Sequence, residues 1–341
     1  MSTNNLVDAL SERIKFDLDK LQSNELEKIE LDSFNLSYFW SQFGAAVQGL
    51  SNEVTKIGFA CGQQPYPASG NLAAMLQDLV QSYTVMRDLY LVLPEEVGAT
   101  VYQAVTSVMI DIVAALLAVV RSLSDLSEKG AKERLTLTGT FWEACAAVET
   151  LPRNNLLATL GVIDGELGLA VDAQEELTTT IEENCEMMSE LGDVYNSELW
   201  TNSERDLVTK AVGLVKVTQV CLQRVHKAVG DCGSCSTPQN CAELDATATA
   251  SRTISPVLDD FVSELYQPID VPKALENAGK LAALLRNMLM TVENFHFKQA
   301  INKDVINKLL LFISHNHKKL DPSVAGLLPQ LSNLTLTTEP T

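Results

Sequence analysis

The sequence predicts an all-α protein built as two antiparallel helical bundles. Three observations carry that expectation. Apolar residues recur at steps of three and four along most of the chain, and no convincing run of alternating apolar residues interrupts them. Aromatic residues make up only 6% and prolines number 11, a composition that leans away from all-β folds. At 341 residues the chain is long enough for two cores of ordinary size.

Leu6, Leu10, Ile14, Leu18 and Leu21 form the first stripe. A second helix begins near Ser33 or Ser37 and runs to about Cys61, where Gly62, Pro65 and Pro67 end it. A third covers residues 69–93 and stops at Pro94. Residues 101–120 then pose a choice between membrane and core. Their ten Val, Leu and Ile residues favour insertion by roughly 3–6 kcal/mol, of which a central charge such as Asp111 takes back about 2.5–3.5. Val97, Val101, Val105, Val108, Ile112, Ala115, Val119 and Leu123 form one unbroken helical stripe, which favours the centre of a soluble bundle over a membrane span. A second face of small residues runs through Ala104, Ser107, Ala114 and Ala118, and makes Asp111 a candidate buried acid in a polar seam.

Residues 124–139 are polar and are expected to close the fourth helix, followed by a short segment, 141–150, carrying Trp142 and Cys145. The longest helix is expected over 153–191, with a turn-rich domain boundary after it. The domains are therefore 1–192 and 193–341. In the second, a helix carrying Leu207, Ala211, Leu214, Thr218, Cys221 and Val225 ends at Gly230. Residues 231–249 are expected to be a flexible loop, with a helix over 242–250 as the alternative. Helices follow at 256–266, 271–294 and 300–319, with a short one near 323–331 and a disordered tail from 335.

Twenty-five Lys and Arg against 44 Asp and Glu give a formal charge of −19. Such a surface repels phosphate backbones, so direct nucleic-acid binding is not expected. The densest basic run, Lys318-Lys319 beside His315 and His317, is short. The first ten residues lack a basic region followed by an apolar core, unlike a signal peptide. Seven cysteines, an odd number, fit reduced thiols in cytosol or nucleus.

Chemistry-bearing patterns are few. Cys232, Cys235 and Cys241, with His226 nearby in sequence, offer ligand types that suit tetrahedral zinc. A redox Cys-x-x-Cys or incidental thiols in a loop are the other readings. His315 and His317, two apart, face different ways on a helix, and all four histidines, with His226 and His296, are expected at the surface or a boundary. The acidic pairs Glu175-Glu176, Glu182-Glu183 and Asp259-Asp260 read as solvated charge. Thr237-Pro238 and Ser255-Pro256 fit minimal proline-directed phosphorylation sites, and Ser255 is also a natural N-cap. No catalytic residue and no cofactor site is assigned; the partner-binding residues are unknown.

Phe39-Trp40, Leu93-Pro94 with Gly98 and Thr100, and Asp111-Ile112-Val113 resemble the cyclin-D-binding protein family, the GCIP or Maid-like proteins. The likeness continues through Trp142, Ala144-Cys145, Pro152-Arg153, Asn155, Asp172-Ala173 and Glu175-Glu176. Past the boundary it includes Trp200, Cys221-Leu222, Leu244-Asp245, Ile254-Ser255-Pro256, Asp259-Asp260, Tyr266 and Pro268. The cluster Cys232, Cys235 and Cys241 has no counterpart in that pattern. The resemblance implies a non-enzymatic, cofactor-free regulator of the cell cycle and transcription, found in cytoplasm and nucleus. It implies D-type cyclins, helix-loop-helix transcription factors and adaptor proteins as partners, opposition to retinoblastoma-protein phosphorylation, and bundles similar to those of talin and vinculin. A cytoskeletal or adhesion scaffold is the alternative function.

Overall fold

The computed structural model describes residues 3–30, 32–124, 128–191 and 200–321. Among these residues every regular element is helical and no strand occurs, so the expected all-α class holds. The helices cluster into two compact units, Met1–Ala158 and Thr159–Thr341. The boundary expected at 192–193 lies outside the described residues, as do the short helix expected near 323–331 and the tail from 335.

The first unit holds α1 (Thr3–Gln22), α2 (Leu36–Gly62), α3 (Ser69–Leu91), a 3-10 turn (Glu95–Val97), α4 (Ala99–Ser122), α5 (Glu128–Thr150) and the first residues of α6 (Asn155–Leu191). α1 packs against α3 and α4, α2 against α3 and α5, and α4 against α5, so five helices close a ring around one core. Ile14, Phe43, Leu50, Leu79, Met109 and Ile112 are fully buried there, each worth roughly 1.5–3 kcal/mol in water excluded. Polar contacts also cross this core, among them the Tyr83 hydroxyl, which donates to Asp17 at 2.8 Å, with Arg87 Nε 3.2 Å from the same carboxylate.

α4 is long and apolar enough to cross a membrane, with a mean hydropathy of 2.1 over an 18-residue window. Its place in the ring accounts for that composition, since Val101, Val105, Met109, Ile112, Leu116 and Val120 are buried among the other helices. Its remaining face, Gln103, Ser107, Asp111 and Ala114, is exposed. Asp111 therefore faces water and is not the buried acid expected from its apolar neighbours: α4 packs against α1 and α5 and leaves one side open.

Residues 124–139 do not close the fourth helix either. α4 ends at Ser122, and α5 runs unbroken from Glu128 through the polar stretch to Thr150. The reason is Arg134, only 1% exposed, whose Nε and Nη2 donate to the Cys61 carbonyl at 2.9 and 2.6 Å. The last carbonyls of a helix lack intrahelical donors, and Arg134 supplies them at the end of α2. A buried arginine of this kind reads as surface in a sequence.

The second unit contains the rest of α6 with α7 (Asn202–Cys232), α8 (Pro238–Arg252), α9 (Ile254–Ser263), α10 (Val271–Val292) and α11 (Lys303–Leu320). α6 belongs here through hydrogen bonds along its length. Thr159 donates to the Leu244 carbonyl, Glu166 accepts from the Ser255 amide, and Gln219 donates to the Ala170 carbonyl. α10 packs against α7, α8, α9 and α11, with Leu281, Leu285, Met288 and Leu289 buried.

Three expectations for this unit are corrected. Residues 231–249 are not a flexible loop: α7 reaches Cys232, and α8 begins at Pro238 behind the N-cap Thr237, whose hydroxyl accepts from the Asn240 amide. α8 presents few large apolar residues, so its periodicity is faint; Leu244, Thr247, Ala248 and Ser251 form its buried side. Ser255 is not an N-cap but lies buried inside α9, because α8 and α9 are separated only by Thr253 and Glu166 supplies the acceptor for the Ser255 amide. His317 is buried rather than at the surface, facing the core side of α11 opposite exposed His315, as a two-residue step on a helix requires.

Candidate partner-binding groove

A concavity of about 530 Å³ runs between α2 and α5 in the first unit. Its buried lining is Val47, Cys145 and Val148, and the short side chains of Ser41, Gly44, Ser51 and Ala146 along it leave a furrow between the two helices. Two tryptophans stand at its ends. Trp40, on α2, donates its indole N–H to the Arg153 carbonyl at 2.8 Å, and the Arg153 guanidinium lies 4.6 Å from the ring centre. Trp142, on α5, donates to the Thr55 hydroxyl at 2.9 Å, while Thr55 donates to the Ser51 carbonyl at 2.6 Å.

These bonds fix the polar edge of each indole and leave apolar ring surface outward. Trp142 is 41% exposed and stands 6.5 Å from the ring of Phe59, which is 60% exposed. Rigid, already hydrogen-bonded aromatics lose little freedom on association, which is why such residues dominate the energetics of protein interfaces. The groove's thiol, Cys145, is buried, and that burial pushes it up to about 12, far from a thiolate nucleophile at neutral pH. What the geometry offers is aromatic ring surface set among polar groups, with Gln48, Glu149 and Arg153 also lining the groove.

The candidate metal residues do not come together as ligands. Cys232 is exposed at the end of α7, while Cys241 is buried and donates its thiol to the Cys235 carbonyl at 3.8 Å. His226 pairs with Asp164 at 3.1 Å. Among the described residues no group of three or more His, Cys, Asp and Glu side chains is placed to hold a metal ion. The turn after α7 is secured by His296 instead. Its Nε2 accepts from the Ser234 amide at 3.0 Å, so its Nδ1 carries the proton and donates to Glu243 at 2.8 Å. Burial works against the Glu243 charge, but donors from Gln239 and His296 outweigh it and hold the carboxylate below its ordinary range. Asp259 and Asp260 are exposed, as read.

One perturbed group had no sequence signal. Lys28, in the connection between α1 and α2, lies over the rings of Tyr90 and Tyr102 at 4.1 and 4.4 Å. Burial there pushes its ammonium down to about 8, against the pull of Glu95. Tyr90 also hydrogen-bonds Tyr102 and Thr106, so Lys28 sits at an anchoring point for the connection.

The fold and this groove define an all-helical protein with exposed aromatic surface. Residues 42–183 match the family described as Grap2 and cyclin-D-interacting, N-terminal, and residues 182–290 match its C-terminal counterpart. The chain belongs to this family. It is 27% identical over 327 residues to a Cyclin-D1-binding protein 1 homolog of Xenopus laevis, covering 94% of this chain and 98% of that protein. Against the Danio rerio homolog it is 28% identical over 301 residues, covering 84% and 87%. Against Homo sapiens Cyclin-D1-binding protein 1 it is 23% identical over 327 residues, covering 90% and 89%.

Proposed function

We propose that the chain is a non-enzymatic regulator that binds D-type cyclins and contacts them through the α2–α5 groove. The observation that carries this reading is the match along nearly the whole chain to relatives named for cyclin D1 binding. The exposed ring of Trp142 beside Phe59 supports the choice of surface.

The finer proposal is inhibitory: occupation of a cyclin surface opposes retinoblastoma-protein phosphorylation, in cytoplasm and nucleus. Helix-loop-helix factors and adaptor proteins are further proposed partners. They would be met on exposed faces, since pairing through stripes such as Val105, Met109 and Ile112 would cost the core of the first unit. The full chain immobilised on beads should retain a D-type cyclin from solution. Absence of retention, with the chain folded, would sink this reading.

A further inference from the structure

Basic charge in this acidic chain is concentrated on two neighbouring helices of the second unit. α7 and α11 together carry nine Lys and Arg against four Asp and Glu, in a chain whose totals are 25 and 44. The acids lie only toward the helix ends: Glu204, Asp206 and Asp231 on α7, and Asp304 on α11. Between those ends both helices bear basic and neutral residues alone.

The two helices pack together, and the side chain of Asn316 occupies the space beside Gly213, 2.6 Å from where a Cβ would stand. At helical spacing, Lys216, Val220 and Arg224 follow Gly213 along one flank of that contact. Lys308, Phe312 and Lys319 follow one another along α11, with Phe312 one turn before Asn316. All six are exposed, Phe312 by 53%. Lys216, Arg224, Lys308 and Lys319 form no ion pair with any described residue, unlike Lys210 and Lys227, which pair with Asp206 and Asp231. Four cations outside any ion pair among the described residues thus share the exposed sides of these two packed helices with a phenylalanine and a valine.

We infer that the α7–α11 face is a docking surface for an acidic amphipathic helix of a partner protein. Charge selects the occupant, because carboxylates meet unpaired cations here while most of the chain is acidic and repels them. The interleaved apolar residues select the form. A helix with apolar positions three and four apart places Leu-type side chains on Phe312 and Val220 while its acidic flanks reach the lysines. A phosphate backbone would use the cations and leave Phe312 unpaired, which favours the helix over nucleic acid.

The test uses the full chain and a fluorescent three-heptad peptide whose apolar face is Leu and whose polar face is Glu, read by anisotropy. A control peptide carries Lys in place of Glu. The Glu peptide should bind and the Lys peptide should not. Binding should weaken at least tenfold between about 0.05 and 0.5 M salt, as screening shortens the reach of exposed charges. K216E/K308E/K319E should lose the Glu peptide, and F312S should weaken it several-fold, both with an unchanged helical circular-dichroism spectrum. Equal affinity for the two peptides, or wild-type affinity in the triple variant, would overturn the inference. So would capture by anionic vesicles or a DNA oligomer with no capture of the Glu peptide.

Discussion

The carboxamide of Asn155 fills the space that a Cβ on Gly98 would need: its Cγ stands 2.0 Å from that position. Gly98 has φ +115°, outside the range side-chain-bearing residues favour, and it precedes the first turn of α4. From that close approach Asn155 Oδ1 accepts the Val101 amide at 3.1 Å, satisfying one of α4's open N–H groups. Gly98→Ala should therefore destabilise the chain by about 3 kcal/mol through clash and strain. Asn155→Ala should cost about 1–2 kcal/mol through the lost acceptor. The double variant should cost clearly less than their sum, because removing the carboxamide removes the clash. Urea unfolding of the four proteins measures this; strict additivity would refute the contact.

Arg134 closes the end of α2, so Arg134→Met should destabilise by about 1–3 kcal/mol, the range for leaving a buried acceptor bare. Hydrogen exchange should show the last turn of α2 opening first. A variant as stable as the original would contradict the role given to Arg134.

Burial, with the Arg286 charge nearby, holds the His317 imidazole below its ordinary range, only partly offset by Asp321. The folded state therefore prefers neutral His317, and the unfolded state takes up its proton first as pH falls. This contribution to stability is present above an unfolded value of about 6.5 and is lost below it. Unfolding midpoints measured from about pH 7.5 to 5 should fall for the original chain and fall less for His317→Phe. Identical slopes would remove His317 from the account.

Helix α8 replaces an expected loop, and hydrogen exchange distinguishes the two. Amides over 241–252 should be strongly protected, and Thr237→Ala should cost about 1 kcal/mol as an N-cap loss. Exchange at unprotected rates across this stretch would restore the loop.

What the sequence made legible was what periodicity carries. The stripe in α4 sits in the core where Val101, Val105 and Ile112 placed it, and the ends of α2 at Gly62 and of α3 at Leu91 were marked by the breakers Gly62 and Pro94. What was hidden rests on partners distant in sequence. Arg134 is buried because Cys61 needs a donor, Asp111 is exposed because α4 leaves one side of the ring, and Ser255 is buried because Glu166 reaches its amide. α8 did carry a local signal, Thr237 before Pro238, but it fits a phosphorylation pattern equally well. Of the groove, Trp40 and Trp142 belonged to the family likeness, but the sequence assigned them no binding role. Their facing across α2 and α5 required the fold.

The most direct measurement is an equilibrium titration of a D-type cyclin with the full chain and with Phe59→Ala/Trp142→Ala. Exposed aromatic anchors of this kind are worth about 2 kcal/mol or more each at an interface. The account predicts at least a tenfold loss of affinity in the variant, with its unfolding midpoint little changed. Undiminished cyclin binding by the variant would contradict the claim that this groove is the binding surface.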